Sequence, residues 1–364
     1  MYQRFHVQNF RGFSDLTIEN LSHVNLITGF NNVGKTALLE ALFLCSSNTP
    51  NSILSIRTLR GLEKLYLAFG KWGESSWSSL FHNHQDSINV RLDGELSSDI
   101  GIRSVEISTH LDVSELDNLI QSGNPRTGEF YDEIKGVLST AETSQAVRYT
   151  YTEGDLTRSH YMTFNAGELR ITPQPASPTF LTLFLSSRGR VSPEDEAGRF
   201  GNLDKKGKQH ILLEMLRILE PRLQRLSVIY EAGPILHGDI GLGRMLPLAE
   251  MGEGIVRLTS IVNAIAVASN GILLVDEIEI GIHYSVMSRV WEAISKAARE
   301  FNTQIFATTH SRECVVAAHE GFSQTERYDL GLYRLYRNSK GEIAVADYDQ
   351  ENLEYAVEAG LEVR

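Results

Sequence analysis

The feature that most constrains this chain is the loop GFNNVGKT, from Gly29 to Thr36. A stretch rich in Val, Leu, Ile and Thr, HVNLIT, leads into the loop, and TALLEALFL follows it with helix-forming residues at helical spacing. This local pattern predicts a buried strand, a glycine-bearing turn and a helix that begins near Lys35. Such a turn presents backbone N–H groups at a helix N-terminus, an arrangement that binds anions.

The spacing of this loop matches G-x-x-x-x-G-K-[ST], the pattern of a nucleotide phosphate loop. There the glycines let the backbone curl around the phosphates, the lysine reaches the β- and γ-phosphates, and the threonine hydroxyl binds Mg²⁺. Ordinary residue frequencies give roughly a 1% chance of an accidental match. We therefore expect a bound nucleoside triphosphate with Mg²⁺. The residues expected to contact it here are Asn31, Asn32, Val33, Gly34, Lys35, Thr36 and Ala37.

Two acids follow a second apolar run, within GILLVDEIEIGIH. Ile272 to Val275 is uniformly apolar, as expected of a strand buried on both faces of a parallel sheet. Asp276 and Glu277 then lie at the carboxyl edge of the sheet, where such folds bind ligands. We expect Asp276 to hold Mg²⁺ and Glu277 to polarise the attacking water. An ordinary strand exit that carries two acids is the alternative interpretation.

The segment NTQIFATTHS predicts another short strand, Gln304 to Thr308, which ends next to His310. A predicted helix, Tyr284 to Phe301, separates this strand from the acid-bearing one, as in a parallel crossover. This order favours a position from which His310 reaches the γ-phosphate. A lone histidine is otherwise more often structural.

Within the stretch from Pro247 to Ala268, a second glycine-bearing turn immediately precedes a long apolar-faced segment. Gly252 and Gly254 expose the backbone at its start, which indicates another anion site. Because one chain already has a complete phosphate loop, the pattern favours a γ-phosphate clamped between two copies. A plain helix entry is the alternative.

Four segments, in this order, resemble the ABC-like ATPases of the RecF, SMC and OLD (overcoming lysogenisation defect) group. They are NFRGF near the N-terminus, GFNNVGKT, MGEGIVR, and LLVDEIEIGIH followed by TTHS. The resemblance implies an α/β P-loop fold with an ABC-type ATPase head, a mostly parallel central sheet, a β-rich N-terminal lobe and a helical insertion. It also implies a homodimer or higher homo-oligomer, with ATP between the phosphate loop of one protomer and the signature turn of the other.

By the same resemblance Glu277 is the general base, His310 is the switch histidine, and Lys35 acts with them in catalysis. Arg11 is expected near the nucleotide. The signature turn departs from the family, because Met251 to Gly254 lacks the usual serine. No clear glutamine loop stands out in the sequence. The residues at roughly its position are Ser186, Ser187 and Arg188.

We expect three parts in the chain. The first is an N-terminal ATPase lobe, 1–185, with an α/β insertion at about 46–180. A helical connecting segment, 186–245, and a C-terminal lobe, 246–364, follow it; the latter carries the signature-like turn, the Walker B acids and the switch histidine. Within the insertion, INVRLDGEL and VRYTYTEG predict antiparallel strands and DVSELDNLI a short capped helix. No heptad pattern is sustained, which argues against a coiled-coil arm.

Composition bears on compartment and on nucleic-acid binding. A net charge of −12 argues against a generally basic surface, although Lys205, Lys206 and Lys208 leave direct DNA contact open. Two isolated cysteines, an N-terminus without an apolar signal core and no long apolar run indicate a cytoplasmic protein without membrane spans. HNHQD, at 82–86, is only weakly suggestive of metal binding and fits a solvated turn better.

The tail after His310 predicts a strand, a turn at Lys340-Gly341, a second strand and a closing helix. It has too few residues for the Toprim nuclease of full-length OLD proteins, and it resembles stand-alone OLD-like ATPases, including the ATPase subunits of PARIS-type anti-phage systems. Those subunits work with a separately encoded nuclease or other effector. The expected function is a dimeric regulatory or motor ATPase of this kind. The alternatives are a RecF-like ATPase that acts directly on DNA and a nucleotide-gated scaffold with negligible turnover.

Overall fold

A computed structural model describes residues 1–61, 77–97, 101–109, 146–165, 168–175 and 180–363. The strands of this part of the chain are β1 Tyr2–Phe10, β2 Phe13–Ile18, β3 Val24–Gly29, β4 Val90–Leu96, β5 Ile102–Ser108, β6 Ala146–Glu153, β7 Leu156–Asn165, β8 Glu168–Thr172, β9 Thr182–Leu185, β10 Arg225–Tyr230, β11 Pro234–Asp239, β12 Leu246–Pro247, β13 Ile272–Val275, β14 Gln304–Thr308, β15 Leu330–Arg337 and β16 Ile343–Tyr348. The helix predicted at 112–120 and part of the segment at about 46–180 lie outside the described residues.

The α-helices alternate with the strands mainly in the second half of the chain. They are α1 Lys35–Ser47, α2 Asn51–Leu59, α3 Pro193–Lys205, α4 Gln209–Leu216, α5 Glu253–Val267, α6 Tyr284–Glu300, α7 Arg312–Ser323 and α8 Gln350–Glu358. Serine side chains cap two of them, because Ser192 accepts from the Asp195 amide and Ser311 from the Cys314 amide.

A six-stranded sheet forms the predicted, mostly parallel centre of the fold. Its strand order is β16-β15-β3-β14-β13-β9, and of these strands β16 alone pairs antiparallel with its neighbour. Strands β3, β13 and β14 are buried along their whole length. Burial on both faces explains their continuous apolar runs. The predicted bounds of β13 and β14 are confirmed residue for residue.

A seven-stranded antiparallel sheet contains the N-terminal strands, in the order β2-β1-β4-β5-β6-β7-β8. Strand β4 pairs along β1, with Val7 opposite Leu92. The segment expected as an insertion therefore continues the sheet of the N-terminal lobe. Both predicted strands in that segment are confirmed as β4 and β6.

Two hydrophobic cores lie on opposite faces of the six-stranded sheet. Leu274 and Phe306 belong to the core that contains α1 and the antiparallel sheet. Their neighbours Leu273 and Ile305 belong to the other core, with α5, α6 and α7. This alternation follows from the two-residue period of a strand. Helix α1 is thus held between the two large sheets, with the phosphate loop at its N-terminus.

The connecting segment, expected to be helical, contains α3 and α4 but then becomes a small sheet. Strand β11 pairs antiparallel with both β10 and β12. A tight turn joins β10 to β11, and in it the Glu231 amide donates to the carbonyl of Gly233 over 3.1 Å. Within the expected helical or connecting segment, 186–245, residues 225–245 are therefore not helical but form strands and turns, because the short alternating strands carry a weaker pattern than the helices before them.

The tail has the predicted strand, turn, strand and helix, as β15, β16 and α8. Gly341 takes the left-handed conformation that the turn requires, with φ 81°. Asp349 caps α8 by accepting from the Asn352 amide over 2.8 Å. Among the described residues, none of the helices has the length and apolar character needed to cross a bilayer.

Candidate active site

A cavity of about 790 Å³ opens at the carboxyl ends of the parallel strands. This is the edge at which folds with parallel sheets bind ligands. The cavity is lined by Arg11, Gly12, Asn31, Asn32, Gly34, Lys35, Thr36, Ala37, Arg60, Ser79, Phe81, Asn83, His84, Arg188, Asp276, Glu277, Thr308, Arg337 and Ile343. A second polar cavity of about 590 Å³ shares Thr36, Arg60, Arg188, Asp276 and Glu277 with it. The predicted phosphate loop and the predicted acids thus share one site.

The phosphate loop is shaped by its two glycines. Gly29 has φ 140° and Gly34 has φ 104°, and a Cβ at Gly29 would overlap the backbone of Leu335. The Nζ of Lys35 donates to the carbonyls of Gly29 and Phe30, over 2.6 and 3.2 Å. Burial lowers the pKa of this lysine, while nearby carboxylates, Asp276 first, raise it. The lysine therefore lies along its own loop, in reach of the site's acids.

The residues predicted to contact the nucleotide differ in whether their side chains face the cavity. Asn31 and Asn32 line the cavity, as does Ala37 at the start of α1. The side chain of Val33 is buried, with its Cγ1 close to where a Cβ on Gly29 would lie. The side chain of Val33 therefore packs inside the protein against the loop, and only the backbone of Val33 is available to a ligand.

Asp276 is held by three hydroxyl groups from three separate parts of the chain. Its Oδ1 accepts from Thr36 over 3.1 Å and from Thr308 over 2.7 Å. Its Oδ2 accepts from Ser187 over 3.0 Å. Mg²⁺ takes oxygen ligands and is usually bound through one or two carboxylates beside phosphate oxygens. A carboxylate and a threonine hydroxyl 3.1 Å apart beside the phosphate loop fit that ion.

Glu277 has an unusual backbone conformation, with φ 49°. Its amide donates to the Thr308 hydroxyl over 2.9 Å, and its carboxylate is partly exposed at the cavity. Left-handed conformations of residues other than glycine cost energy and concentrate at functional sites. The conformation turns the Glu277 side chain away from the course of the strand.

The sequence did not indicate Arg257, which supports this bend from the other side. Arg257 lies on α5, and its Nη2 donates to the carbonyls of Asp276 and Glu277 over 2.8 and 3.2 Å. Burial lowers the pKa of its guanidinium, and the three nearby carboxylates oppose that shift. The signature-like helix is thereby tied to the backbone of both acids.

His310 lies beside the acids, as predicted. Its Nδ1 is 3.8 Å from Oε1 of Glu277 and 3.3 Å from Oε1 of Glu279. Half of the histidine side chain is exposed, at 53%. The structure thus brings Glu277 and His310 together, and it adds Glu279, a residue that the sequence analysis did not single out.

Arg11 lies in the cavity wall, where it forms an ion pair with a buried acid. Its Nε is 2.8 Å from Oε2 of Glu40, and Arg60 donates twice to the same carboxylate, over 2.6 and 3.0 Å. Burial lowers the pKa of Arg11 to about 10, partly offset by Glu40. Arg60 and Glu40 were missed because their pairing joins residues far apart in sequence.

The signature-like turn does not meet the phosphate loop of its own chain. Gly252 and Gly254 are not among the described residues that line the cavity. Gly252 is exposed, with φ 112°, and a Cβ on Gly254 would lie 2.6 Å from the carbonyl oxygen of Gly281. The turn thus packs against the loop that follows the acids while its outer side faces solvent.

Of the remaining residues that the sequence analysis named, some lie at the site and others lie away from it. Ser186, Ser187 and Arg188 all line the second cavity, and Ser186 also accepts from the Arg188 amide over 3.2 Å. The lysine stretch is remote, and Lys208 forms an ion pair of 2.6 Å with Glu300. Asn83 and His84, from the HNHQD segment, line the cavity, a place that no local pattern indicated.

A family model described as "AAA domain, putative AbiEii toxin, Type IV TA system" matches residues 24–315. The chain belongs to this family. Its match spans the phosphate loop, both acids and His310. A member of this AAA-domain family with these motifs is an ATPase.

Relatives of this AAA-domain protein support the assignment. A protein of Helicobacter pylori named ATP/GTP phosphatase is 21% identical over 388 residues, which cover 98% of each chain. Uncharacterized protein MJECL10 of Methanocaldococcus jannaschii is 37% identical over 92 residues, which cover 25% of this chain and 41% of that protein.

Solved structures confirm the fold. An Smc head bound to the C-winged helix domain of ScpA has a TM-score of 0.50 at 13% identity, covering 98% of this chain and 99% of that one. An Smc head with an extended coiled coil, bound to the C-terminal domain of ScpA derived from Pyrococcus furiosus, has a TM-score of 0.50 at 12% identity and covers 98% of each chain. The AAA-domain chain therefore has the predicted fold of an ABC-type ATPase head.

Proposed function

We propose that this AAA-domain ATPase is Mg²⁺-dependent and works as a homodimer, regulating a separately encoded effector, nuclease-like protein in anti-phage defence. The observation that carries the enzymatic part is the convergence on Asp276. The phosphate loop, the strand of the switch histidine and the segment after β9 each place one hydroxyl on its carboxylate. Asp276 and Thr36 would hold a metal bound there.

The phosphate loop and Lys35 bind the β- and γ-phosphates in this proposal. The loop's backbone amides and the N-terminus of α1 attract phosphate oxygens. Lys35 exchanges its bonds to the Gly29 and Phe30 carbonyls for phosphate oxygens. Thr36 and Asp276 would hold Mg²⁺, which when bound would supply positive charge to the phosphate oxygens.

Glu277 aligns the attacking water and accepts its proton. The water oxygen bonds to the γ-phosphorus while the bond to the β–γ bridging oxygen breaks, so that ADP leaves and phosphate is released. His310, next to Glu277, contacts the γ-phosphate oxygens. Because little covalent chemistry is left to the protein, positioning and electrostatics carry the catalysis.

Closure of two copies around ATP is supported by the position of the signature-like turn. Gly252 and Glu253 are exposed, and the turn lies apart from the cavity of its own chain. Among the described residues no side chain caps the start of α5, so its backbone N–H groups can meet a γ-phosphate of another copy. They would act without the serine that the related signature turns carry.

The regulatory role rests on the family and on its structural relatives. The family description refers to a toxin of a type IV TA system. Both Smc heads named above were solved with a domain of a separate protein bound to them. We infer that this chain likewise works with a separate protein, as the stand-alone OLD-like ATPases of PARIS-type systems do.

The test is the steady-state ATPase rate of the purified protein with and without duplex DNA, with Glu277→Gln as the blank. We expect slow, Mg²⁺-dependent hydrolysis that DNA does not change, and ATP binding without turnover in Glu277→Gln. Lys35→Ala should lose both binding and turnover. Strong stimulation by DNA would instead favour a RecF-like ATPase that acts on DNA directly.

Dimerisation is tested separately by light scattering coupled to size exclusion. Glu277→Gln with Mg²⁺ and ATP should elute as a dimer, and Lys35→Ala under the same conditions as a monomer. A Glu277→Gln protein that binds ATP and stays monomeric would contradict the proposed closure.

A further inference from the structure

Glu279 contacts His310 from the side away from solvent. It follows β13 by four residues and precedes α6. Its Oε1 accepts from the hydroxyl of Thr309 over 2.8 Å and from the amide of His310 over 3.2 Å. The same oxygen lies 3.3 Å from the imidazole Nδ1 of His310. One carboxylate oxygen thus meets both the backbone and the ring of the switch histidine.

The carboxylate is also nearly buried. The side chain of Glu279 is 11% exposed, whereas that of Glu277 is 39% exposed. Its second oxygen, Oε2, is buried without a hydrogen-bond partner in the part of the chain that the structure describes. Burying a charged group is costly unless partners compensate, so a carboxylate kept here for packing alone would be unfavourable.

Two carboxylate oxygens lie near Nδ1 of the imidazole, that of Glu279 at 3.3 Å and that of Glu277 at 3.8 Å. Because a carboxylate accepts hydrogen bonds, this proximity favours the form of the ring that carries its proton on Nδ1. With the proton on Nδ1, the other ring nitrogen, Nε2, lies on the side of the ring away from Glu279. Within the described residues Nε2 makes no hydrogen bond, and half of the side chain is exposed. The free nitrogen is therefore the one available to a ligand.

We propose that Glu279 is a positioning residue that holds His310 with Nδ1 as donor and directs Nε2 to the γ-phosphate. This inference rests on the proposed function, because it requires His310 to contact the γ-phosphate. Glu279 does not touch the nucleotide or the attacking water. It fixes the rotation of the imidazole before ATP binds, which is the usual role of a carboxylate behind a working histidine.

The test uses Glu279→Gln, which has the shape of glutamate and still offers an oxygen to Thr309 and the His310 amide. Charge-assisted hydrogen bonds are roughly twice as strong as neutral ones, so the hold on the ring weakens. We expect kcat to fall about 10-fold, with the Kd for ATP changed less than about two-fold. The matched control, Thr309→Val, removes the other side-chain contact of Glu279 but keeps its charge, and its kcat should fall less.

A double-mutant cycle with His310→Ala separates this role from a structural one. If Glu279 acts through His310, the double variant turns over no more slowly than His310→Ala alone. Losses that multiply, or a wild-type kcat in Glu279→Gln, would overturn the inference. A normal kcat in His310→Ala itself would instead refute the proposed role of His310, so the two failures are distinguishable.

Histidine-selective ¹⁵N spectra give a readout independent of activity. In the wild type the ring of His310 should show protonated Nδ1, and this preference should weaken in Glu279→Gln. A wild-type ring that is protonated at Nε2 alone would contradict the inference. Thermal unfolding of each variant checks that the fold is intact.

Discussion

The hydroxyl of Thr308 lies 2.7 Å from Oδ1 of Asp276, with the donor on β14 and the acceptor directly after β13. The same hydroxyl oxygen accepts from the Glu277 amide over 2.9 Å. One threonine therefore links two neighbouring strand ends. It also holds Asp276 and Glu277, the proposed metal ligand and the proposed general base, relative to each other.

Thr308→Val should lower ATP turnover because both of these hydrogen bonds are lost while the side-chain shape is kept. Loss of a bond to a charged acceptor costs roughly 1.5–3 kcal/mol, which corresponds to about 10-fold or more in rate if it falls on the transition state. Thr308→Ser is the matched control, and it should retain most activity. Mg²⁺ titrations of the ATPase rate check this. Equal activity of both variants would exclude the bridging role.

Gly254→Ala should loosen the contact between the signature-like turn and the loop after the acids. The added Cβ would lie 2.6 Å from the Gly281 carbonyl oxygen, and backbone cannot give way cheaply. We expect a loss of about 1–3 kcal/mol in the free energy of unfolding. Gly198→Ala in α3 is the control, since beyond its chain neighbours and the backbone of its own helix none of the described residues places an atom within 4 Å of the new Cβ.

That control should gain up to about 1 kcal/mol, because alanine favours a helix over glycine. Urea denaturation of both variants measures the difference. Destabilisation of the two variants by equal amounts would show that the Gly254 contact has no special role.

Arg257→Met should lower kcat about 10-fold and reduce stability by roughly 1–3 kcal/mol. The change leaves the carbonyls of Asp276 and Glu277 without their side-chain donor. Arg190→Met is matched, because Arg190 pairs with Glu253 at 79% exposure and such pairs contribute little. Kinetics and thermal melts of the two variants should differ clearly. Similar losses in both would point to a general effect of removing charge near α5.

The thiols of Cys45 and Cys314 should not react with Ellman's reagent in the native protein at pH 8. Both are buried, and burial raises the pKa of each to about 12 from a usual value near 9.0. The thiolate is the reactive form, so little of it is present. Two equivalents should react once urea unfolds the chain. Fast modification without urea would contradict the burial of these side chains.

The same shift predicts that these cysteines weaken the fold in alkali. Above pH 9 the unfolded thiols lose protons, while the folded ones keep them to about pH 12. The unfolded state is then favoured by about 1.4 kcal/mol per thiol for each pH unit in this window. Urea denaturation between pH 8 and 10 measures the loss. If the free energy of unfolding falls with pH as steeply in Cys45→Ser as in the wild type, the pKa shift proposed for that thiol is contradicted.

The sequence predicted the parallel strands accurately because their burial produces an unmistakable local signal. Ile272–Val275 has no polar residue, and the acids follow it at once. The phosphate loop was equally clear, since its spacing is dictated by the backbone turn that phosphate requires. Features that depend on neighbouring residues in the chain were therefore accessible.

Features that depend on contacts between distant segments were not. In the sequence, Arg257 looks like any other charged residue of an amphipathic helix. Its contact with the Asp276 carbonyl is evident only once α5 is placed beside β13. Glu279 resembles an ordinary acid in a turn, and its role depends on Thr309 and His310 from another strand end. Likewise, β4 shows the alternation of a strand, but nothing local states that it pairs with β1.

The position of β3 has a consequence for how this chain tolerates change. β3, near the N-terminus, pairs with β14 on one side and β15 on the other, and the Tyr2 amide donates to Gln304 over 2.8 Å. Strands from early and late parts of the sequence therefore pair within one sheet. The site is held together by these pairings and not by the chain segments that connect them. Connections that carry none of the cavity-lining residues, such as the turn between β10 and β11, are therefore the places where changes in length should leave these strand contacts and the cavity unchanged.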